Sequence, residues 1–396
     1  MRYLLAILIL LQPAIALAVP DEIYVDPAIN ANSGTGTIGD PYGDVQYALD
    51  TLNHGGDGAR INVKAGTAEV LAAGGLSLDA HFTTNGAPGA TEPIIIEGYT
   101  SAAGDGGIAE FTGTANSAAF WVDTTTGGAD VDYATFKNLK ITTAQATGYA
   151  IVIDNQITFL NVELISNHGG IDVDQGLVDH CKVSYVDSAG VSGAFAIVAV
   201  SNCYFVQTSG ALVPGVSSCS PVVGNIFNVR AATDASAGVI NTSGTGAAYV
   251  FSGNSILANI SSGASSANGI RAVTPNCLFS NNYIEGFNSA ADEAIDISSA
   301  SVSSVFANNA FFGNTANITN AGLNTITIGS TSSLAASGVT SASGADFTPT
   351  ADLKGTGYPA GFLQLSGNAT DPNIGAIETT GGGNIIDPLT GTIPGL

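Results

Sequence analysis

Phe159–Leu164 reads FLNVEL, and the phrase returns as VSNCYF (Val200–Phe205), FSGNSI (Phe251–Ile256), FSNNYI (Phe279–Ile284) and FANNAFF (Phe306–Phe312). Setting the asparagine or glycine of the short polar step in one column gives Asn138, Asn161, His180, Asn202, Asn225, Gly253, Asn281 and Asn308. By subtraction the intervals are 23, 19, 22, 23, 28, 28 and 27 residues, which is the range of solenoid repeats. Two residues before the column stand Phe136, Phe159, Val178, Val200, Val223, Phe251, Phe279 and Phe306, all apolar.

The positions one after the column (Leu139, Val162, Cys181, Cys203, Ile226, Asn254, Asn282, Asn309) and three after it (Ile141, Leu164, Val183, Phe205, Asn228, Ile256, Ile284, Phe311) alternate with the residues between them, as a strand with one inward face does. Asparagine and glycine tolerate the left-handed backbone of a sharp corner, so the column marks a bend between two strands. Each repeat is one coil, and coils of this kind bury a continuous core only by stacking. The expected fold is all-β, a single-stranded parallel β-helix solenoid. Helical repeats are excluded by the period of two and by 50 glycines.

The chain has 396 residues, of which 45% are hydrophobic and 10% charged. It opens with MRYLLAILILLQPAIALA, a basic residue, an apolar run and a small-residue cleavage site near Ala18, which reads as a secretory signal peptide. No later stretch approaches the ~20 apolar residues of a membrane span. The expectation is a secreted or cell-surface protein, and export favours a cell-encoded product over an ordinary virion tailspike. With 32 acidic and 9 basic residues the formal net charge is −23, which makes nucleic acid and anionic membranes poor partners. Cys181 and Cys203 share one inward column in successive coils, where parallel Cβ vectors suit bridging poorly. Buried thiols are favoured there over a disulfide, and Cys219 and Cys277 pair less plausibly still.

Five segments follow from this reading: a signal peptide over 1–18, an N-terminal strand, loop and capping helix over 19–58, coils over 59–318, thinner coils and a C-terminal cap over 319–380, and a tail over 381–396. The capping helix is placed in DPYGDVQYALDTL, with Asp40 as N-cap, Pro41 at the first helical position, and Val45, Ala48, Leu49 and Leu52 on one face.

YVDP at Tyr24–Pro27, the Gly-rich loop after it, Pro41-Tyr42 and Gln46–Leu49 resemble the opening of the right-handed parallel β-helix proteins of the pectin-lyase-like superfamily. The closing GYPAGF and Asn373–Glu378 resemble the C-terminal signature of its secreted bacterial and phage-borne members. The likeness covers nearly the whole mature chain and implies the fold. It leaves the activity open, because this superfamily holds lyases, hydrolases, epimerases, tailspikes and adhesins.

Chemistry is sought on the outer face of the coils. Taking Ile153 and Val173 as inward equivalents sets Asp154 beside Asp174, about 5 Å apart on adjacent coils, where two like charges must share a proton or a cation. With Asp172 they form a candidate Ca²⁺ set of hard oxygen ligands. Asp179-His180-Cys181 resembles the Asp-His step of pectate lyases, where the aspartate helps to bind calcium. The arginine base of those enzymes has no counterpart here, since Arg230 and Arg271 stand alone, and the polygalacturonase motifs are missing. Asp172, Asp174, Asp179 and His180 are therefore the catalytic candidates, with His180 reading first as a corner residue.

Lys140, Glu163 and Lys182 alternate in sign two positions after the column. The same position then carries Tyr204 and Phe227, an aromatic pair that reads either as a partner-contact or carbohydrate-binding face or as a surface covered by a loop. Inward Asn254, Asn282 and Asn309 form an asparagine ladder. His54, His81 and His168 share no ligand spacing, and no phosphate loop is present. Two function classes result. One is an exported structural or adhesive β-helix of a cell surface, filament or virion appendage, partnered by its own copies or by an extracellular glycan. The other is an extracellular polysaccharide lyase or glycoside hydrolase. No cofactor is required by the first, and Ca²⁺ is the only one suggested for either.

Overall fold

The computed structural model describes residues 21–349 except 30, 53–58, 73–74, 78–92, 114–119, 122–132, 145–147, 194–197, 230–236, 243–247, 259, 261–265, 275, 290, 298–302, 321–323, 329–331 and 342–345. The signal peptide, His54, His81, Arg230, the closing GYPAGF and Asn373–Glu378, and the tail lie outside the described residues, as does the side chain of Asp154.

The parallel strands wind into a β-helix with three faces, each strand pairing with its equivalent on the next coil. Each sheet contributes an inward stack that can be followed coil by coil. On the sheet before the corner the stack runs Ile23, Ile61, Ile96, Phe136, Phe159, Val178, Val200, Val222, Phe251, Phe279, Phe306 and Thr327. On the sheet after the corner it runs Phe111, Ile141, Leu164, Val183, Phe205, Phe227, Ile256, Ile284 and Phe311. The third sheet carries Ile151, Ile171, Val191, Val216, Ile240, Ile270, Ile295 and Ile318, with Leu76 at its start. β-Branched and aromatic side chains suit such positions, because every coil offers the same pleated pocket to the next. Strand spacing forces facing rings to stack: Phe205–Phe227 and Phe279–Phe306 have centroids 4.8 Å apart, and Phe136–Phe159 5.1 Å.

The corner residues are left-handed: Asn138 (φ 56°), Asn161 (55°), His180 (52°), Asn202 (52°), Gly224 (67°), Gly253 (63°), Asn281 (53°) and Asn308 (54°). One member differs from the sequence alignment. Gly224, not Asn225, makes the fifth corner, and Val222, not Val223, is the apolar residue two before it. The shift moves Asn225 into the asparagine ladder and turns Phe227 inward, fully buried on Phe205.

The capping helix spans Val45–Thr51 and begins later than the sequence pattern placed it. Asp44 is its N-cap, accepting from the Tyr47 amide at 2.6 Å, while Asp40 accepts from the Thr35 amide in the preceding loop. Tyr42 forms a bridge with Val25, which holds this stretch extended, and a Cβ on Gly43 would meet the Ile29 carbonyl at 1.8 Å. Val45, Ala48 and Leu49 are buried and close the N-terminal end of the core. At the other end, an antiparallel pair, Val339–Ser341 with Asp346–Pro349, folds back. Its Val339, with Leu334, packs over the outward residues Tyr204, Ile226, Leu257, Tyr283 and Ala310. No helix among the described residues is long and apolar enough to cross a membrane.

Candidate functional site

Asp179 sits just before the His180 corner. Its carboxylate accepts hydrogen bonds from His180 Nδ1 (2.7 Å), Ser201 Oγ (2.7 Å) and Asn202 Nδ2 (3.0 Å). Ser201 is its register partner on the next coil and Asn202 is that coil's corner, so one carboxylate braces two consecutive bends. Burial pushes the Asp179 carboxyl up, but the donors from His180, Ser201 and Asn202 outweigh it and hold the group below its ordinary value. The same bond to Asp179 raises His180 against an opposing effect of burial. The serine hydroxyl is spent on the aspartate rather than on the imidazole, so this is not the nucleophile–base order of a hydrolytic triad.

Asp172 and Asp174 both point outward earlier on the same strand, Gly169–Asp179, Asp172 half-buried and Asp174 exposed. The register steps from Val173↔Ile153 to Gln175↔Gln156, so the backbone of Asp154 and Asn155 together faces Asp174 across a bulge. Among the described residues, no three His, Cys, Asp or Glu side chains come close enough together to hold a metal ion. Beside the bulge opens a cleft of about 470 Å³, lined by Tyr133, Thr135, Gln156, Thr158, Gln175 and Leu177. A second, of about 630 Å³, begins on the same sheet three coils beyond Leu177, against Val250, Leu278, Val305 and Ile326.

The asparagine ladder has four rungs, Asn225, Asn254, Asn282 and Asn309. Each Oδ1 accepts from the backbone amide of the rung before it, as in Asn254 N–H to Asn282 Oδ1 at 3.1 Å, except that Asn225 serves the Cys203 amide at 2.9 Å. Each Nδ2 donates to a main-chain carbonyl of the preceding coil, and in the first three rungs also to the next Oδ1. Cys203 and Cys181 continue the column. Cys203 Sγ donates to Val178 O at 3.4 Å and accepts from the Cys181 amide, so the thiols do weakly what the amides do strongly. All four cysteines are buried and unbridged.

Phe227 is not on the outer face, for the reason of register given above. Tyr204 is outward but covered, 6% exposed, with its hydroxyl accepting from Asn228 Nδ2. The charged column at this position runs Glu110, Lys140, Glu163 and Lys182 in register, with a Lys182–Glu163 pair at 2.8 Å and a Lys140–Glu110 pair at 3.5 Å. Arg271, on the third sheet, pairs with Asp296, and the buried Glu97 holds Arg60 and Lys137.

Of the two alternatives for Tyr204, the structure shows the covered surface; the segment that supplies the cover, residues 334–341, was not identified from the sequence. It is fastened by Gly338 N–H to the Tyr283 hydroxyl (2.7 Å), by a Tyr283–Glu285 hydrogen bond and by Ser337 to Glu285 (2.9 Å). Residues 334–341 carry little alternation, so no local signal announced it.

No protein-family model and no curated protein matches the sequence. Among solved structures the chain is similar to pectate lyase Pel9A, with 16% identity over 92% of this chain and 98% of that one and a TM-score of 0.44. It is also similar to the GH136 lacto-N-biosidase of Eubacterium ramulus (10% identity, 78% and 67% covered, TM-score 0.39). A third is the A-module of the Azotobacter vinelandii mannuronan C-5 epimerase AlgE6 (12%, 74% and 96%, 0.35). At these identities and scores they carry no argument about the site of this chain.

Proposed function

We propose that the protein is an exported structural or adhesive β-helix, a rigid rod whose long faces engage its own copies or an extracellular glycan. The observation that supports this most is how Asp179 and His180 are used. The residues with the most catalytic character in the sequence commit their hydrogen bonds to tying successive corners together. The alternative, an extracellular polysaccharide lyase or glycoside hydrolase with Asp154, Asp172 and Asp174 as cation or acid/base groups, is favoured by the bulge and the cleft beside it.

Asp179→Asn separates the two. In a brace, the amide turns one donor toward another and the variant loses roughly 1–3 kcal/mol, the range for a hydrogen-bonded charge. Asp179 gives stability above its ordinary value of 3.8 that fades as pH falls, and His180 gives stability below its ordinary 6.5 that fades as pH rises. The difference between wild type and variant is therefore largest between these values. An Asp179→Asn variant that melts like wild type would refute the brace, and wild-type cleavage of a glycan that is lost in Asp174→Asn would support the enzyme.

A further inference from the structure

The two sheets that flank the corner are treated differently on their outer faces. After the corner, the outward apolar residues Tyr204, Ile226, Leu257, Tyr283 and Ala310 are buried in one cluster with Val339, against which Leu334 packs. Before the corner, the same outward row is polar on the earlier coils, with Thr135 and Thr158, and becomes apolar from Leu177 onward, running in register through Ala199, Pro221, Val250, Leu278, Val305 and Ile326. No described residue covers this second stripe. Its members are half-exposed up to Val305, and Ile326 is 60% exposed.

Leu177 sits on the strand Gly169–Asp179, which carries three aspartates, but the later strands of the stripe, Val198–Ser201, Val222–Val223, Tyr249–Ser252, Cys277–Ser280, Ser303–Ala307 and Asn324–Ile328, contain no Asp, Glu, Lys, Arg or His. That is notable in a chain of net charge −23.

We propose that this face pairs two copies of the chain about a twofold axis. Two polyanions repel least where uncharged surface lies between them, and this stretch of the sheet is such a surface. Its size is consistent with the same partner. Six coils from Ala199 to Ile326 at ~4.8 Å each run about 24 Å, and a side-chain envelope about 20 Å wide gives roughly 500 Å² per copy. The pair buries about 1,000 Å², the lower limit for specific association, so the dimer forms and dissociates with concentration. The repeat makes the face self-complementary: with the axis between Val250 and Leu278, aliphatic side chains of one copy fall into the cleft of the other, sheets about 10 Å apart. This deepens the structural reading by naming the surface on which copies meet.

The test is the mass of the full mature chain by light scattering and sedimentation across concentration and salt. The expected result is a monomer–dimer equilibrium that tightens as salt screens the charge, and a dissociation constant at least tenfold weaker in Leu278→Arg. Should that variant fail to fold, Val250→Cys replaces it. Because the native thiols are buried, the new one is the reactive site, and mild oxidant links copies through it. The control, Val70→Cys at a 69% exposed position on another face, links far less. A chain that stays monomeric, or a dimer indifferent to Leu278→Arg and no more linked through position 250 than through 70, overturns the proposal. A monomer whose thiol at 250 resists a small reagent does so as well, and assigns the stripe to residues 350–396 of the same chain. The outcomes are separable from those of the functional reading: a dimer that cleaves glycan sinks only the latter, and an inert monomer only the pairing.

Discussion

Replacing Asn282 with alanine removes an interior rung of the ladder and reports directly on what holds the coils in register. Four hydrogen bonds go: Asn282 Nδ2 to Phe251 O (2.9 Å) and to Asn309 Oδ1 (2.9 Å), and to Asn282 Oδ1 those from Asn254 Nδ2 (3.0 Å) and Asn254 N (3.1 Å). All lie in a core where Asn254, Asn282 and Asn309 are fully buried, so water does not replace them. Each neutral bond contributes about 1 kcal/mol, and a buried amide left without an acceptor costs about 1–3 kcal/mol. The variant should lose about 3–6 kcal/mol, a large part of the stability of an ordinary domain. Urea denaturation followed by far-ultraviolet circular dichroism measures it. Cys203→Ala, in the same column, gives up only weak thiol bonds and should lose clearly less. A loss under about 1 kcal/mol for Asn282→Ala, or no difference between the two variants, would refute the ladder as a structural element.

Glu69 lies 5% exposed beside the N-terminus of the capping helix, and burial, with the Asp44 carboxylate adding to it, raises its carboxyl from 4.5 to about 7 despite a hydrogen bond from the Val45 amide. The folded state thus holds this proton more tightly than the unfolded chain, so stability is full below 4.5 and declines as pH rises toward 7, by at most about 3 kcal/mol. Glu69→Gln should be more stable than wild type at pH 8 and flatten the melting temperature between pH 5 and 8; an unchanged pH profile would contradict this. The cysteines should react with a thiol reagent only on unfolding, because burial raises Cys219 and Cys277, the latter to about 11, and leaves little thiolate at neutral pH. Prompt labelling of the folded protein would be the opposing result.

Much of the fold was legible because the corner leaves two marks at once, a residue tolerant of left-handed backbone and apolar residues at fixed offsets. His180 could be assigned to the corner on spacing alone, and its φ of 52° agrees. The fifth corner was ambiguous for a physical reason. Val222 and Val223 are both apolar and Gly224 and Asn225 both bend, so two registers satisfy the local pattern; what separates them is the bond from Asn225 to Asn254 one coil away. That single step moved Phe227 from the surface to the core. The helix start was misjudged similarly, since Asp40 and Asp44 are both fit caps and the extended stretch around Tyr42 decides between them. The partners of Asp179 were within reach, because Ser201 is its register neighbour in the same alignment. A cover over Tyr204 was one of two readings, but the segment that supplies it was not legible, because it depends on a long-range return of chain.

The central claim, that these coils form a rod rather than an active site, is tested most directly by incubating the mature wild-type protein with a panel of acidic and neutral extracellular glycans, with calcium and with chelator. New reducing ends and unsaturated uronate absorbance are followed together. The account predicts no product above the blank in either condition. Turnover that requires Asp174, or that disappears with chelator, would contradict it.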